Sequence, residues 1–190
     1  MYLIDSTYFI QDCFIPNLNE IDSDNLLELN QKIARDVPKL LVQLLGIGLF
    51  TELNSFILNG VLIPTAPQKW KDLVYGVSYD SKKWNGLIIS LAGYKESILA
   101  KYVYYNFLNE NVVEHTGVGL KVVSAQNAKD VNPTQQIVKA YNAFVLDYSG
   151  SNTCYDNYEV SLIGFLRDKE IDFPNTRLVF HGFKNSLGFW

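Results

Sequence analysis

Between Gly86 and Asn109 the apolar residues Leu87, Leu91, Tyr94, Ile98, Tyr102 and Tyr105 recur at steps of four, three, four, four and three. That spacing places all six on one face of an α-helix. Ile88, Ala92, Leu99 and Val103 form a second stripe beside the first, so most of the circumference is apolar and other helices must enclose it. The expectation is a mainly α protein, a helical bundle around a long central helix over about 86–109. With 190 residues, 48% of them hydrophobic, the chain can bury a sizeable core within one domain.

The flanking segments read as further helices with short β excursions. Leu26, Leu29, Ile33 and Val37 share a helical face, Asn25 and Glu28 suit a capping box, and this helix is expected to end near Arg35. Pro38 suits the first turn of a second helix, on which Leu41, Leu45, Leu49, Leu53 and Ile57 repeat every four residues across Gly46 and Gly48 until Asn59-Gly60 stops it. After Pro64 and Pro67, a short helix over Gln68–Tyr75 ends at Gly76, and 77–84 reads as a small hairpin around Asp80-Ser81. Val112–Val123 is β-branched and broken by glycine, which predicts a hairpin or extended arm projecting from the helical body. Pro133 opens a helix carrying Ile137, Tyr141, Phe144 and Tyr148, and SGSN at 149–152 interrupts it. Asp156 with Glu159 can cap a last helix carrying Leu162, Phe165 and Leu166. The organisation expected is one domain over 1–190: an N-terminal arm (1–22), a helical body (25–168) with a projecting arm (112–132), and an extended tail (171–190).

Little in this pattern points to chemistry. A net charge of −4 and a pI near 5.1 provide no basic footprint for reading nucleic acid. Cys13 and Cys154 lie far apart, without metal-ligand spacing or a disulfide framework, and suit a reducing compartment. The N-terminus carries Asp5 and Asp12 where a secretory signal would carry Lys or Arg, and the apolar run Leu40–Phe50 is too short to span a bilayer, so neither secretion nor a membrane is expected. His115 and His181 are the only histidines, and no nucleophile elbow surrounds either cysteine that one of them might activate. Gly117-Val118-Gly119 lacks the third glycine and the following helix of a dinucleotide loop, and reads as turn glycines. Asp22 and Asp24 precede a helix, where capping explains them. Tyr102, Tyr104 and Tyr105 have only Lys95 and Lys101 nearby, so packing explains them better than base stacking. No catalytic residue, cofactor site or metal site is expected, and the chain reads as a non-enzyme.

The last eleven residues, FHGFKNSLGFW, hold four aromatics where most domains fray into polar chain. Several stretches, taken in order, resemble the head–tail connector (adaptor) proteins of tailed bacteriophages, those of Bacteroides-infecting, crAss-like phages in particular. These are LLVQLLGIGLFTELNSF at 40–56, the YG…W-x-GL element of Tyr75, Gly76, Trp84, Gly86 and Leu87, the AKYVYYNFL helix, HTGVGLKVV, the Pro133 helix with KAYN, and NSLGF at 185–189. The first twenty or so residues have no counterpart in this pattern. The resemblance implies a virion protein of the neck, made in the host cytoplasm and assembled as a ring, dodecameric in the family. The ring would sit between the portal protein and the next neck or tail protein, with DNA passing through its bore unrecognised. Slight acidity suits such a bore, because phosphate affinity comes from Lys and Arg. Candidate interface residues are Val112, His115, Thr116, Gly117, Gly119 and Val122 on the arm, able to pair with a neighbour by edge addition, and Phe180, Phe183, Asn185, Leu187, Phe189 and Trp190 on the tail. The tail can cover its own helical body or an adjacent subunit's. The rival expectations are another neck or tail-completion ring component and, from a different class, a small cytoplasmic hydrolase using Cys154 or His115.

Overall fold

Three helix breakers, Pro38, Gly46 and Gly48, stand inside the first long helix, α1 (Asp24–Ser55), and only one of them breaks it. The chain stays helical through Pro38, where a second helix was expected to begin, and turns instead at Gly46, whose φ of 77° and ψ of 162° lie outside helical space. A proline inside a helix forfeits one backbone hydrogen bond. Leu29, Ile33, Val37, Leu40, Leu41 and Leu44, all buried on one face, keep the chain helical past it. Gly46 bends at little steric cost because it has no Cβ. The expected capping box does not form: Asn25 Nδ2 donates to the Pro16 carbonyl at 3.1 Å, and Glu28 pairs with Lys32 at 3.1 Å.

In this computed structural model the described residues are 3–18, 24–111, 113–116, 119–122, 133–150, 158–174, 176, 179, 180, 182 and 184. Two single 3₁₀ turns, Ser6–Tyr8 and Gln11–Cys13, precede α1. There follow β1 (Ile57–Leu58), β2 (Val61–Leu62), α2 (Gln68–Tyr75), β3 (Val77–Tyr79), β4 (Lys82–Trp84), β5 (Ile88–Leu91), β6 (Tyr94–Ser97), α3 (Ile98–Asn111), β7 (Val113–Thr116), β8 (Gly119–Val122), α4 (Pro133–Ser149) and α5 (Leu162–Asp168). The protein is mainly α, and its described strands pair only as four antiparallel hairpins.

Two hairpins stand where helix was expected. Asn59 (φ 50°) and Gly60 (φ 81°) are the two-residue turn of β1–β2, so α1 ends at Ser55 and Ile57 pairs with Leu62. Asn-Gly favours this turn because both central residues take positive φ. The larger correction concerns the central helix, which begins at Ile98 rather than near Gly86. Residues 88–97 form β5–β6, paired from Ile88↔Ser97 to Leu91↔Tyr94. The helical repeat through Leu87, Leu91 and Tyr94 was coincidental: Leu87 is buried, whereas Leu91 and Tyr94 lie exposed at the hairpin tip. Ser97 sets the boundary, its Oγ accepting from the Leu99 and Ala100 N–H groups (3.1 and 3.4 Å) while donating to the Leu87 carbonyl at 2.8 Å. Capping of this kind starts a helix at the next residue.

The other expectations agree with the backbone, in α2 ending at Gly76, in the β3–β4 hairpin turning at Asp80-Ser81, in the β7–β8 hairpin, and in α4 opening at Pro133. Helix α5 is capped by Ser161, whose Oγ accepts from Gly164 N at 3.2 Å. Glu159 instead pairs with Lys83 in an isolated parallel bridge, and Asp156 lies outside the described residues.

Helix α3 packs between α1 and α4, and α5 closes against α4. One apolar core joins these helices to Trp70 of α2, Trp84 of β4 and Phe173, with Trp84 stacked on Phe165 at 5.5 Å. Residues of the segment expected to be an N-terminal arm, Leu3, Ile4, Phe9 and Ile15, are buried in that same core. Among the described residues no helix is long and apolar enough to cross a membrane.

Candidate interaction site

The β7–β8 hairpin follows α3 after one intervening residue. Its register is Val113↔Val122, Glu114↔Lys121, His115↔Leu120 and Thr116↔Gly119. Opposed residues of an antiparallel pair alternate between hydrogen-bonded and non-bonded positions, and a two-residue connection closes on a bonded pair. Thr116↔Gly119 and Glu114↔Lys121 are therefore the inward-bonded pairs. His115, Leu120, Val113 and Val122 direct their backbone N–H and C=O groups outward, toward the two free edges. No other described strand pairs with either edge. Of the arm residues expected at an interface, His115, Thr116, Gly119 and Val122 lie on this ladder, and Val112 and Gly117 lie outside the described residues.

Of the tail expected at 171–190, residues 171–174, 176, 179, 180, 182 and 184 are described, and Phe173 is already part of the core. Phe180 sits in a cage of its own chain's aromatics, with ring centroids 5.5 Å from Tyr102, 5.0 Å from Phe144 and 5.3 Å from Tyr148, each edge to face. Such pairs contribute about 0.5–1.5 kcal/mol beyond area burial. The Val179 N–H donates to Tyr148 Oη at 2.7 Å. Five residues on, Asn142 of α4 clasps the backbone of Lys184: its Oδ1 accepts from Lys184 N and its Nδ2 donates to Lys184 O, both at 2.8 Å. The Lys184 ammonium lies 4.4 Å from the Tyr141 ring centroid. The tail thus covers its own α3 and α4 as far as Lys184. Phe183, Asn185, Leu187, Phe189 and Trp190 lie outside the described residues. Asn142 escaped the sequence reading because its partner is 42 residues away and nothing local marks a side-chain amide as a backbone clasp.

A cleft of about 730 Å³ opens between the β5–β6 hairpin, α4 and α5, with Trp84, Glu96, Asp147, Glu159 and Ser161 in its walls. Beside it Lys101 of α3 bonds Asp147 at 2.5 Å and also Glu96, which accepts in addition from the Tyr94 hydroxyl. Burial works against the Lys101 charge, but the two carboxylates outweigh it and raise the ammonium above its ordinary value. Burial also pushes the Asp147 carboxyl up, against the pull of Lys101, although a third of its side chain stays accessible. Glu96 resists its own burial because Lys101 and Tyr94 hold it below the usual carboxylate range. A lysine held protonated between two carboxylates is a poor nucleophile and a good strut.

The Cys13 thiol is buried and pushed up to about 12, the reverse of what an attacking thiolate needs. Cys154 and His181, and the side chain of His115, lie outside the described residues. Among the described residues no group of three His, Cys, Asp or Glu side chains is placed to hold a metal ion. Exposed apolar side chains gather at two hairpin tips, Leu58 with Val61 and Leu91 with Tyr94.

No protein-family model, curated protein or solved structure matches this chain.

Proposed function

We propose that this chain is a structural protein of a phage neck, a head–tail connector that closes into a ring between portal and tail and lets DNA pass without recognising it. The ordered resemblance of its segments to connector proteins motivates the reading. The observation that carries it is the β7–β8 hairpin, whose outward backbone groups at His115 and Leu120 meet no described strand and suit strand addition to a neighbouring copy. A head-to-tail ring needs two different complementary patches on each subunit. The exposed apolar hairpin tips at Leu58–Val61 and Leu91–Tyr94 are candidates for the second. In this reading α3 is the helix on which the body is assembled, at fourteen residues instead of the longer span the repeat suggested. The YG…W-x-GL element is then an architectural lock: the Trp84 indole donates to the Leu73 carbonyl at 3.0 Å and Leu87 N donates to the same carbonyl at 3.1 Å.

The test is a native mass measurement of the chain alone and mixed with its portal protein, repeated with Leu120→Pro. Proline at 120 removes an outward N–H while leaving the inward ladder bonds in place. A portal-dependent closed ring for the original chain, reduced at least tenfold in the variant at unchanged helical circular dichroism, is the expected result. A chain that stays monomeric with portal at micromolar concentration defeats the proposal.

A further inference from the structure

Helix α5 ends in a turn that holds one aliphatic side chain wholly in water. Ile171 is 99% exposed, between the exposed side chains of Glu170 and Asp172. The turn beneath it is clamped at both ends. The Lys169 carbonyl accepts from the Asp172 and Phe173 N–H groups, both at 2.9 Å, and Lys169 N donates back to the Phe165 carbonyl at 3.0 Å. Phe173 is fully buried, its ring centroid 5.5 Å from Trp70 and 5.9 Å from Phe165. The cation of the turn, Lys169, has its ammonium 4.7 Å from the Tyr79 ring centroid, against the body. Ile171 is therefore the tip of an acidic knob that has little freedom left to lose when something covers it.

A groove on α4 complements the knob in polarity and in sign. About 570 Å³ in volume, it has an apolar floor of Val138, Ala143 and Leu146, and Lys139 and Lys184 stand at its rim with no carboxylate among its described lining residues. Charge sorts it from the alternatives. The groove between β3–β4 and β5–β6, with Lys83, Glu96 and Glu159, and the cleft with Lys82, Glu96, Asp147 and Glu159 hold more carboxylates than lysines and would repel the knob. The groove at the α1 bend, beside Val42 and Leu49, has no charged side chain among its described lining. Lys139 meets Asp12 at 3.4 Å, but both side chains are 78% exposed, and an ion pair so open to water contributes little that another carboxylate could not replace.

We propose that Ile171 plugs into the α4 groove of a second copy of this chain, with Glu170 and Asp172 set against Lys139 and Lys184. The occupant acts in trans, because at 99% exposure Ile171 does not fill the groove of its own chain. One side chain does not hold two proteins together, so the plug is an anchor that fixes register within a wider contact. It deepens the ring reading and rests on it for self-association, though not for the portal: a knob on one copy meeting a groove on the next is the heterologous pairing that a ring repeats.

Photo-crosslinking tests it. The full chain is made with p-benzoylphenylalanine in place of Ile171, a position that supports no packing, and isotopically labelled and unlabelled chains are mixed with and without portal protein. Irradiation is expected to join labelled to unlabelled chain at residues 138–146. Glu170→Lys combined with Asp172→Lys should lower that yield about tenfold, and adding Lys139→Glu should restore most of it, with circular dichroism unchanged throughout. Crosslinks confined to one copy, crosslinks mapping outside α4, a yield indifferent to the charge reversals, or no joining of copies in either mixture overturns the plug. A portal-bound ring lacking this crosslink refutes the plug and leaves the connector standing. The crosslink between copies that never engage portal does the reverse.

Discussion

Gly76 and Gly86 meet back to back at the neck of the β3–β4 hairpin, at φ 87° and 95°. A Cβ on Gly86 would lie 2.7 Å from Gly76 N, and one on Gly76 would lie 2.5 Å from the Trp84 carbonyl oxygen. Backbone atoms cannot swing aside as a flexible side chain can, so substitution here combines left-handed strain with a clash. Gly86→Ala is expected to cost about 3 kcal/mol or more, read from urea midpoints. Gly93 is the matched control. It also has positive φ, 78°, but nothing stands within 4 Å of its added Cβ, so Gly93→Ala should cost only about 1 kcal/mol. Equal losses at the two sites would show that the close approach contributes nothing. Both glycines were visible in the sequence as part of one short element. The contact of Gly76 with Gly86 was not, because nine residues of chain separate two backbones that touch.

Three ionic sites tie the elements together, and the carboxylates of two of them answer acid in the opposite way from Asp147 in the third. Glu110 on α3 accepts from Lys32 (2.5 Å) and Arg35 (2.6 Å) of α1, beside an Asn106–Asp36 bond of 3.1 Å. Burial raises the Glu110 carboxyl, but the two cations outweigh it and hold it below its ordinary value. Asp168, bonded by Lys82 at 2.7 Å and Tyr79 at 2.9 Å, is likewise lowered, chiefly by Lys82. Carboxylates lowered by folding stabilise the fold above their unfolded values, and that stability is lost as pH falls through the folded ones. Asp147 has the opposite sign. Raised by burial above its ordinary 3.8, it binds its proton more tightly in the folded chain, so stability is gained as pH falls through its folded value toward 3.8. Replacing it with Asn should therefore steepen the acid loss of stability between neutrality and about pH 4. Urea midpoints of Asp147→Asn and the original chain across that range are the check, and a shallower slope in the variant would contradict the assignment. Lys32 and Asp36 were not legible as partners, because helical periodicity marks their positions as inward-facing without saying what charge meets them from 70 or more residues away.

For the whole molecule, the connector reading and a hydrolase reading separate cleanly. Cys154→Ala combined with His115→Ala should leave portal-dependent assembly within twofold of the original chain, whereas loss of a measurable hydrolytic turnover on making the same change would favour the enzyme. What the sequence alone determined is the content of the fold and much of its punctuation: a mainly α chain, α2 stopping at Gly76, a hairpin at 77–84, a hairpin or extended arm at 112–123, and α4 opening at Pro133. Those features are local, since a proline, a glycine or a run of β-branched residues biases the backbone wherever it sits. Only the tertiary structure decided the rest. The apolar faces of Leu29, Val37 and Leu40 carried α1 across Pro38, and the Gly76–Gly86 contact with the Ser97 cap turned 88–97 into a hairpin despite its helical repeat. The cage of Tyr102, Phe144 and Tyr148 drew Phe180 back onto its own body. Each of those outcomes is set by a partner distant in sequence, and burial against that partner outweighs the few tenths of a kcal/mol by which most residues prefer one local conformation over another.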